Sequence, residues 1–272
     1  MRMQHFDSDG VEIAYIDEGE GPPVLLLHGF ASNTATNWID SHWVRTLTQA
    51  GRRVIAFDHR GHGQSEKLYA PEVYGAPIMA EDARRLLDHL RIDRVEIVGY
   101  SMGARVAAFF VFKYPQRARS VVFGGLGINM VRGMVGTGPL AKALEAPRLE
   151  DVTNDTARSF RAFAEQTKSD LKALAACLRG PREKITKEQL GAIRVPVLVA
   201  VGSGRCDRRL RGRACGPHPR GTISGHKRAR SHEGGRRRAI QTGRARFFNP
   251  ASLSEKRLMV DSKPPPCYRG VE

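Results

Sequence analysis

The sequence is short of cysteine, of long apolar runs and, over its last quarter, of acidic residues. Each shortage excludes something. Four cysteines in 272 residues do not make a disulfide framework in a chain of this size. No stretch approaches the ~18 consecutive apolar residues that a bilayer-spanning helix needs; the longest, Val106 to Phe112, is of core size. Met1 to Asp7 contain no apolar run of signal-peptide type, and a cytoplasmic location is the resulting expectation. Hydrophobic residues are present in ordinary measure, 41%, which excludes full disorder of the whole chain. The length suits one large α/β domain or two small ones.

The net charge of +16 is concentrated at one end. Residues 203–272 hold 15 Arg and 3 Lys against 2 Asp and 3 Glu, a net +13, while residues 1–202 hold 26 basic and 23 acidic residues, a net +3. Three of the cysteines, Cys206, Cys215 and Cys267, also fall in the basic part. The chain therefore has two compositional regimes, residues 1–202 and 203–272.

The first regime alternates strand and helix signals. Val11–Ile16 alternates like an edge strand. Val24–Leu27, Val54–Phe57, Val95–Val98, Val121–Phe123 and Val195–Val201 are short apolar runs of the kind that strands buried on both faces show. Pro77 suits a first helical turn, and Met79, Ala83, Leu86, Leu87 and Leu90 follow at helical spacing. Ala104 to Tyr114 reads as a helix apolar on most sides. Strands alternating with helices predict an α/β fold, a mostly parallel sheet with helices on both faces. Residues 126–190 break the rhythm with glycines and then helical patterns such as Ala157, Phe160, Phe163 and Ala164. They are too long for a loop and predict a small helical insertion. After Gly202 periodicity stops, and Gly, Arg, Pro and Ser dominate. Such a segment cannot bury enough apolar surface to offset its conformational entropy, so residues 203–272 are expected to be a disordered tail.

Three motifs carry the chemistry. Gly99-Tyr100-Ser101-Met102-Gly103 follows a strand and opens a helix, the context of a nucleophile elbow. A serine on so sharp a turn projects its hydroxyl above the sheet, and the helix N-terminus favours developing negative charge. His28-Gly29-Phe30 follows the first buried strand. The Phe30 and Met102 main-chain N–H groups are then candidates for an oxyanion hole, and the His28 side chain is read as shaping a turn. Asp58-His59-Arg60-Gly61-His62-Gly63-Gln64-Ser65 reads as a structural loop in which Arg60 could pair with a carboxylate. His59 and His62 lack a third ligand. Cys206, Cys215 and His218 have the spacing of no common zinc site, so no metal is expected.

With these motifs in order, the chain from about Val11 to Gly202 resembles the α/β-hydrolase fold superfamily, and within it the small cofactor-free serine esterases and lactonases with a helical cap. The resemblance implies hydrolysis of a carboxylic ester or similar acyl substrate. Ser101 would be the nucleophile, residues 126–190 the cap, and no cofactor would be needed. Ser101 also sets the chain apart from the dehalogenases and epoxide hydrolases of this fold, where the resemblance implies Asp. The partner implied is a small-molecule acyl substrate, with neither a membrane nor a specific nucleic acid. The oligomeric state is not legible. The alternative is a non-catalytic protein on the same fold, a broken hydrolase or a ligand- or polyanion-binding module.

The resemblance further implies a general base, a histidine near the C-terminus, and an acid within a few residues of the strand ending at Gly202. Here the sequence departs. Ser203-Gly204-Arg205-Cys206-Asp207 follows the strand, and His218, His226 and His232 stand among arginines. Asp207 and His232 lie nearest to where acid and base belong. A reading-frame shift accounts for the departure. Arg230-Ser231-His232-Glu233 can be spelled CGA-TCA-CAT-GAA, which one base later reads Asp-His-Met-Lys. The same offset permits two adjacent aspartates across Gly204–Asp207, and Gly-Val-Leu-Asp-Phe across Gly243–Phe248. The other reading is a genuine divergent basic tail, whose charge with few aromatics would hold nucleic acid or anionic surfaces only nonspecifically.

Overall fold

The computed structural model describes residues 1–133 and 136–201. The expected tail over 203–272, with Asp207 and His232, lies outside the described residues. The strands are β1 (Gln4–Asp7), β2 (Glu12–Glu18), β3 (Pro23–Leu27), β4 (Arg53–Phe57), β5 (Val95–Tyr100), β6 (Ala118–Gly124) and β7 (Val197–Ala200). Among the described residues they form one sheet in the order β1-β2-β4-β3-β5-β6-β7. The β1–β2 and β2–β4 pairs are antiparallel, and every pair from β4 to β7 is parallel.

Alternate residues of the central strands feed two apolar layers, because successive side chains point to opposite faces. Leu25, Leu27, Ile55, Phe57, Val95 and Ile97 pack on one face. They meet Leu86 and Leu87 of α2 (Ala76–His89) and Val106 and Phe110 of α3 (Met102–Lys113). Val24, Leu26, Val54, Ala56 and Val98 pack on the other face against Trp38, and against Val44 and Leu47 of α1 (Trp43–Gln49). The runs expected to be strands covered on both faces are so covered from β3 to β5. Pro77 sits in the first turn of α2.

The segment between β6 and β7 is helical, in line with the insertion expected over 126–190. It comprises α4 (Asn129–Arg132), α5 (Thr137–Glu145), α6 (Asp155–Gln166), α7 (Leu171–Arg179) and α8 (Lys187–Gly191). Local chemistry sets its boundaries. Asn154 and Asp170 accept the Ala157 and Ala173 N–H groups, both at 2.9 Å, to cap α6 and α7. Thr186 and Gln189 form a capping box at α8. The buried Arg161 donates to the carbonyls of Ala143, Leu144 and Ala146 at 2.8, 3.1 and 2.8 Å. It thereby adds a donor to carbonyls at the end of α5, of which Ala143 also accepts the Ala146 N–H at 3.4 Å.

Two expectations are corrected. Of Val11–Ile16, residues 12–16 belong to β2, which is not an edge; β1, which has no strong apolar pattern, flanks it. Ile13, Ala14, Tyr15 and Ile16 are all buried because β1 shields the outer side and helices cover the faces. Of the run Val195–Val201, Val197–Ala200 forms a strand, but an exposed one, since β7 has a neighbour on one side only among the described residues. No described helix is long and apolar enough to cross a membrane.

Candidate active site

Ser101 stands between β5 and α3 with φ 53° and ψ −112°, a strained conformation for a residue with a side chain. Its N–H donates to the Gly124 carbonyl on β6 at 2.9 Å, and its carbonyl accepts from Ala104 N–H at 3.0 Å. The turn is this sharp because its flanks are glycine. A Cβ on Gly103 would collide with the Leu27 carbonyl and lie 2.7 Å from that of His28. One on Gly99 would collide with the Gly103 carbonyl. The motif spacing thus reports a three-way backbone contact between β3, β5 and α3.

The loop after β3 lies against this turn. A Cβ on Gly29 would be 3.5 Å from the Ser101 Cβ. Gly29 N–H is already given to Asn37 Oδ1 at 3.1 Å, so it is not the free donor of this loop. Among the described residues, Phe30 N–H and Met102 N–H have no hydrogen-bond acceptor. Met102 opens α3, where main-chain N–H groups lack intrahelical partners. Two main-chain donors, one in the loop after β3 and one at the start of α3, are thus left without an acceptor in the segments that meet at Ser101. Ala31 follows with φ 57°. Two contacts tie the loop to α6 of the insertion and the residue just past it: Phe30 lies 6.2 Å from Phe160, centroid to centroid, and Thr167 Oγ1 donates to the Ala31 carbonyl at 2.9 Å. Asn37, Phe160 and Thr167 were not legible as site residues. Asn37 sits in a single π-turn, Ala35–Ile39, and the other two look like ordinary helical positions.

The histidines near this loop are structural. His28 is fully buried; its Nδ1–H donates to the Gly29 carbonyl at 2.8 Å and its Nε2 accepts from His59 N–H at 3.0 Å. Burial pushes its pKa down to about 4 against a smaller opposing effect of the Gly29 bond. His62 is pushed down to about 3, first by burial and then by His28, and His59 well below its usual value for the same reasons. Although the His28–His59 and His28–His62 ring centroids are 4.5 and 5.4 Å apart, no group of three His, Cys, Asp or Glu among the described residues is placed to hold a metal.

The loop Asp58–Ser65 holds itself together. Asp58 accepts from Thr34 N–H at 2.6 Å and Gln64 N–H at 2.7 Å, and Ser65 Oγ donates to the Asp58 carbonyl at 2.6 Å. The carboxylate expected for Arg60 is Asp82 on α2, met at 2.8 and 2.7 Å in a buried two-pronged pair. Ser8 Oγ donates to the same carboxylate at 2.6 Å. No described histidine or carboxylate is hydrogen-bonded to Ser101, and the two candidates for acid and base, Asp207 and His232, are not among the described residues.

A sheet of this order with a strained serine between strand and helix defines a class. The chain belongs to the alpha/beta hydrolase fold family, whose model matches residues 22–174. It is 34% identical over 133 residues to epoxide hydrolase 2 of Siraitia grosvenorii, covering 48% of this chain and 40% of that protein. It is 38% identical over 115 residues to the non-heme chloroperoxidase CPO-A1 of Kitasatospora aureofaciens, covering 42% and 40%. Among solved structures it is similar to Est816, described as an N-acyl homoserine lactone degrading enzyme. That match has 26% identity and a TM-score of 0.53, over 74% of this chain and 82% of the other. The chain spans less than half the length of the curated relatives it matches.

Proposed function

We propose that the site around Ser101 is that of a serine hydrolase acting on a carboxylic ester or lactone. The observation that carries this reading is the serine's strained turn beside two unpartnered N–H donors. Ser101 Oγ attacks the acyl carbonyl, and the Phe30 and Met102 N–H groups hold the oxyanion that forms. The acyl–oxygen bond breaks, the leaving alkoxide takes up the proton that Ser101 gives up, and water then hydrolyses the acyl-enzyme to the free acid and Ser101. The similarity to Est816 supports an acyl substrate. The relatives named epoxide hydrolases point to a shared fold. A serine ester formed on a carbonyl is a natural intermediate of acyl transfer, whereas ring-opening of an epoxide by a serine would leave an ether that water does not readily hydrolyse. The scheme uses no metal or organic cofactor.

A second reading has its own observation: no described group is placed to take the Ser101 proton, and His28, His59 and His62 are buried in structural roles. We propose that the chain as written is impaired, acylating once at best. The frame-shift reading of the residues after Gly202 accounts for this, and Asp207 and His232 are its nearest stand-ins for acid and base. A fluorophosphonate probe and a p-nitrophenyl ester test both points. The probe should label Ser101 and give no label in Ser101→Ala, and the ester should release at most one equivalent. Labelling that survives Ser101→Ala overturns the nucleophile assignment. Sustained turnover overturns the impairment.

A further inference from the structure

We propose that β7 is a self-association edge, and that two copies of this chain pair β7 to β7 in antiparallel fashion, joining their sheets. The proposal is independent of the reading of Ser101.

The first observation is exposure. From Val195 to Val201 the sequence is Val-Pro-Val-Leu-Val-Ala-Val, without a polar side chain. Yet Val197, Leu198, Val199 and Val201 are 44%, 37%, 49% and 43% exposed. Val197 and Val199 point to one face and Leu198 to the other, so both faces are partly exposed. An uncharged, apolar edge strand is what soluble proteins ordinarily avoid.

The second observation is which main-chain groups are free. Val121 N–H donates to the Pro196 carbonyl at 2.9 Å and Gly125 N–H to the Ala200 carbonyl at 2.8 Å. In a strand the N–H and C=O of one residue point to the same side and those of the next residue to the other. Pro196, Leu198 and Ala200 therefore face β6, and Val197 and Val199 turn theirs outward, where no described strand lies. Pro196, which lacks an N–H, falls among the inward-facing residues, so the outer edge keeps its donors at Val197 and Val199.

The third observation concerns the occupant. After Val201 the chain has 71 residues of which no more than three in succession are apolar, Leu258-Met259-Val260, and residues 203–272 carry a net +13. That part contains no run like those of β3 to β5. A second β7 matches in every respect. Placed antiparallel about a two-fold axis at Leu198, Val197 of each copy faces Val199 of the other. Each such pair exchanges two N–H···O bonds, and Leu198 meets its own counterpart as a non-hydrogen-bonded pair. Identical uncharged side chains suit the isologous contact of a two-fold dimer. Each chain uses the edge once, so assembly closes at two.

The test is sedimentation equilibrium of the full chain across concentration, with two variants. The wild-type mass should approach twice the 30.1 kDa of one chain. Val199→Lys puts a charge on the outward face of the joint and should halve that mass at every concentration. Leu198→Cys should form a disulfide between the thiols introduced in the two copies, located by peptide mapping. The Cα separation of a non-hydrogen-bonded antiparallel pair is about 4.5 Å, within the ~4.4–6.8 Å that a disulfide spans. A wild-type chain that is monomeric throughout overturns the proposal, as do assemblies larger than two. A dimer that survives Val199→Lys and gives no cross-link in Leu198→Cys overturns it also. Should Val199→Lys fail to fold by circular dichroism, the cross-link decides alone.

Discussion

His59 is buried with neither ring nitrogen bonded to a described group, and His62 keeps only one, its Nδ1–H on the Arg60 carbonyl at 3.0 Å. Such rings persist because they are neutral. Their folded pKa values, with that of His28, are depressed below 6.5 chiefly by burial, to about 4 for His28 and about 3 for His62. The unfolded chain therefore binds protons first as pH falls. Stability from this cluster is complete above the unfolded value near 6.5 and declines from there down to the folded values. Each histidine costs up to about 1.4 kcal/mol per pH unit within that window. We predict a melting temperature that falls from pH 7 to pH 4.5. His59→Phe should flatten the slope by about one histidine's share, since it keeps the ring and the main-chain bond from its N–H to His28. Equal slopes in the two proteins would refute a neutral cluster. The role of Arg60 was readable from sequence because a lone arginine in a tight glycine loop wants a carboxylate. That the carboxylate is Asp82 was not, because the pairing is tertiary.

At the level of elements, runs with one physical demand were legible and composite ones were not. Val24–Leu27, Val54–Phe57 and Val95–Val98 can only be satisfied with cover on both faces, and they have it. Gly99-x-Ser101-x-Gly103 was legible because the turn admits no Cβ at its glycines. β1, with Phe6 as its only buried residue, was missed because four residues carry too little pattern. The link between insertion and core was missed as well, because Thr167 and Ala31 meet across 136 residues. That link has a consequence. Thr167 has one hydroxyl proton, and the Ala31 carbonyl competes for it with the α6 carbonyls of Phe163 and Ala164 at 3.1 Å and with the Ser169 hydroxyl at 2.9 Å. When Ala31 takes it, the loop that presents Phe30 N–H is pinned to the end of α6. Thr167→Val removes the proton and keeps the shape. We expect slower fluorophosphonate labelling of Ser101, by roughly tenfold or less, the worth of one hydrogen bond. Thr167→Ser should restore the rate, and the melting temperature should barely move. Unchanged labelling in Thr167→Val would show that this contact does not position the loop.

For the molecule as a whole, the described part is a sheet well covered at its centre and bare at its β7 end. Full burial of a Val or Leu side chain is worth ~1.5–3 kcal/mol, so completing the cover of Val197, Leu198, Val199 and Val201 from their present exposure would recover roughly 2–6 kcal/mol. A domain's entire stability is about 5–15 kcal/mol, so the stabilisation not realised at this end is comparable to a large fraction of a domain's total. If the residues after Gly202 are read one base out of register, the chain lost that cover and its acid and base together. Two separable effects then share one origin, and a single comparison tests it. The chain as written and a chain with the frame shifted by one base after codon 202 are both expressed. The shifted version should melt cooperatively, by several degrees higher, and turn over a p-nitrophenyl ester. The written version should melt broadly and, at most, acylate once, because loss of a triad base typically leaves a small residual fraction of the rate. Sequencing codons 200–250 of the gene gives an independent check. Equal melting and equal turnover would show that the basic segment is a genuine tail, and that the Ser101 proton is taken by a group within it.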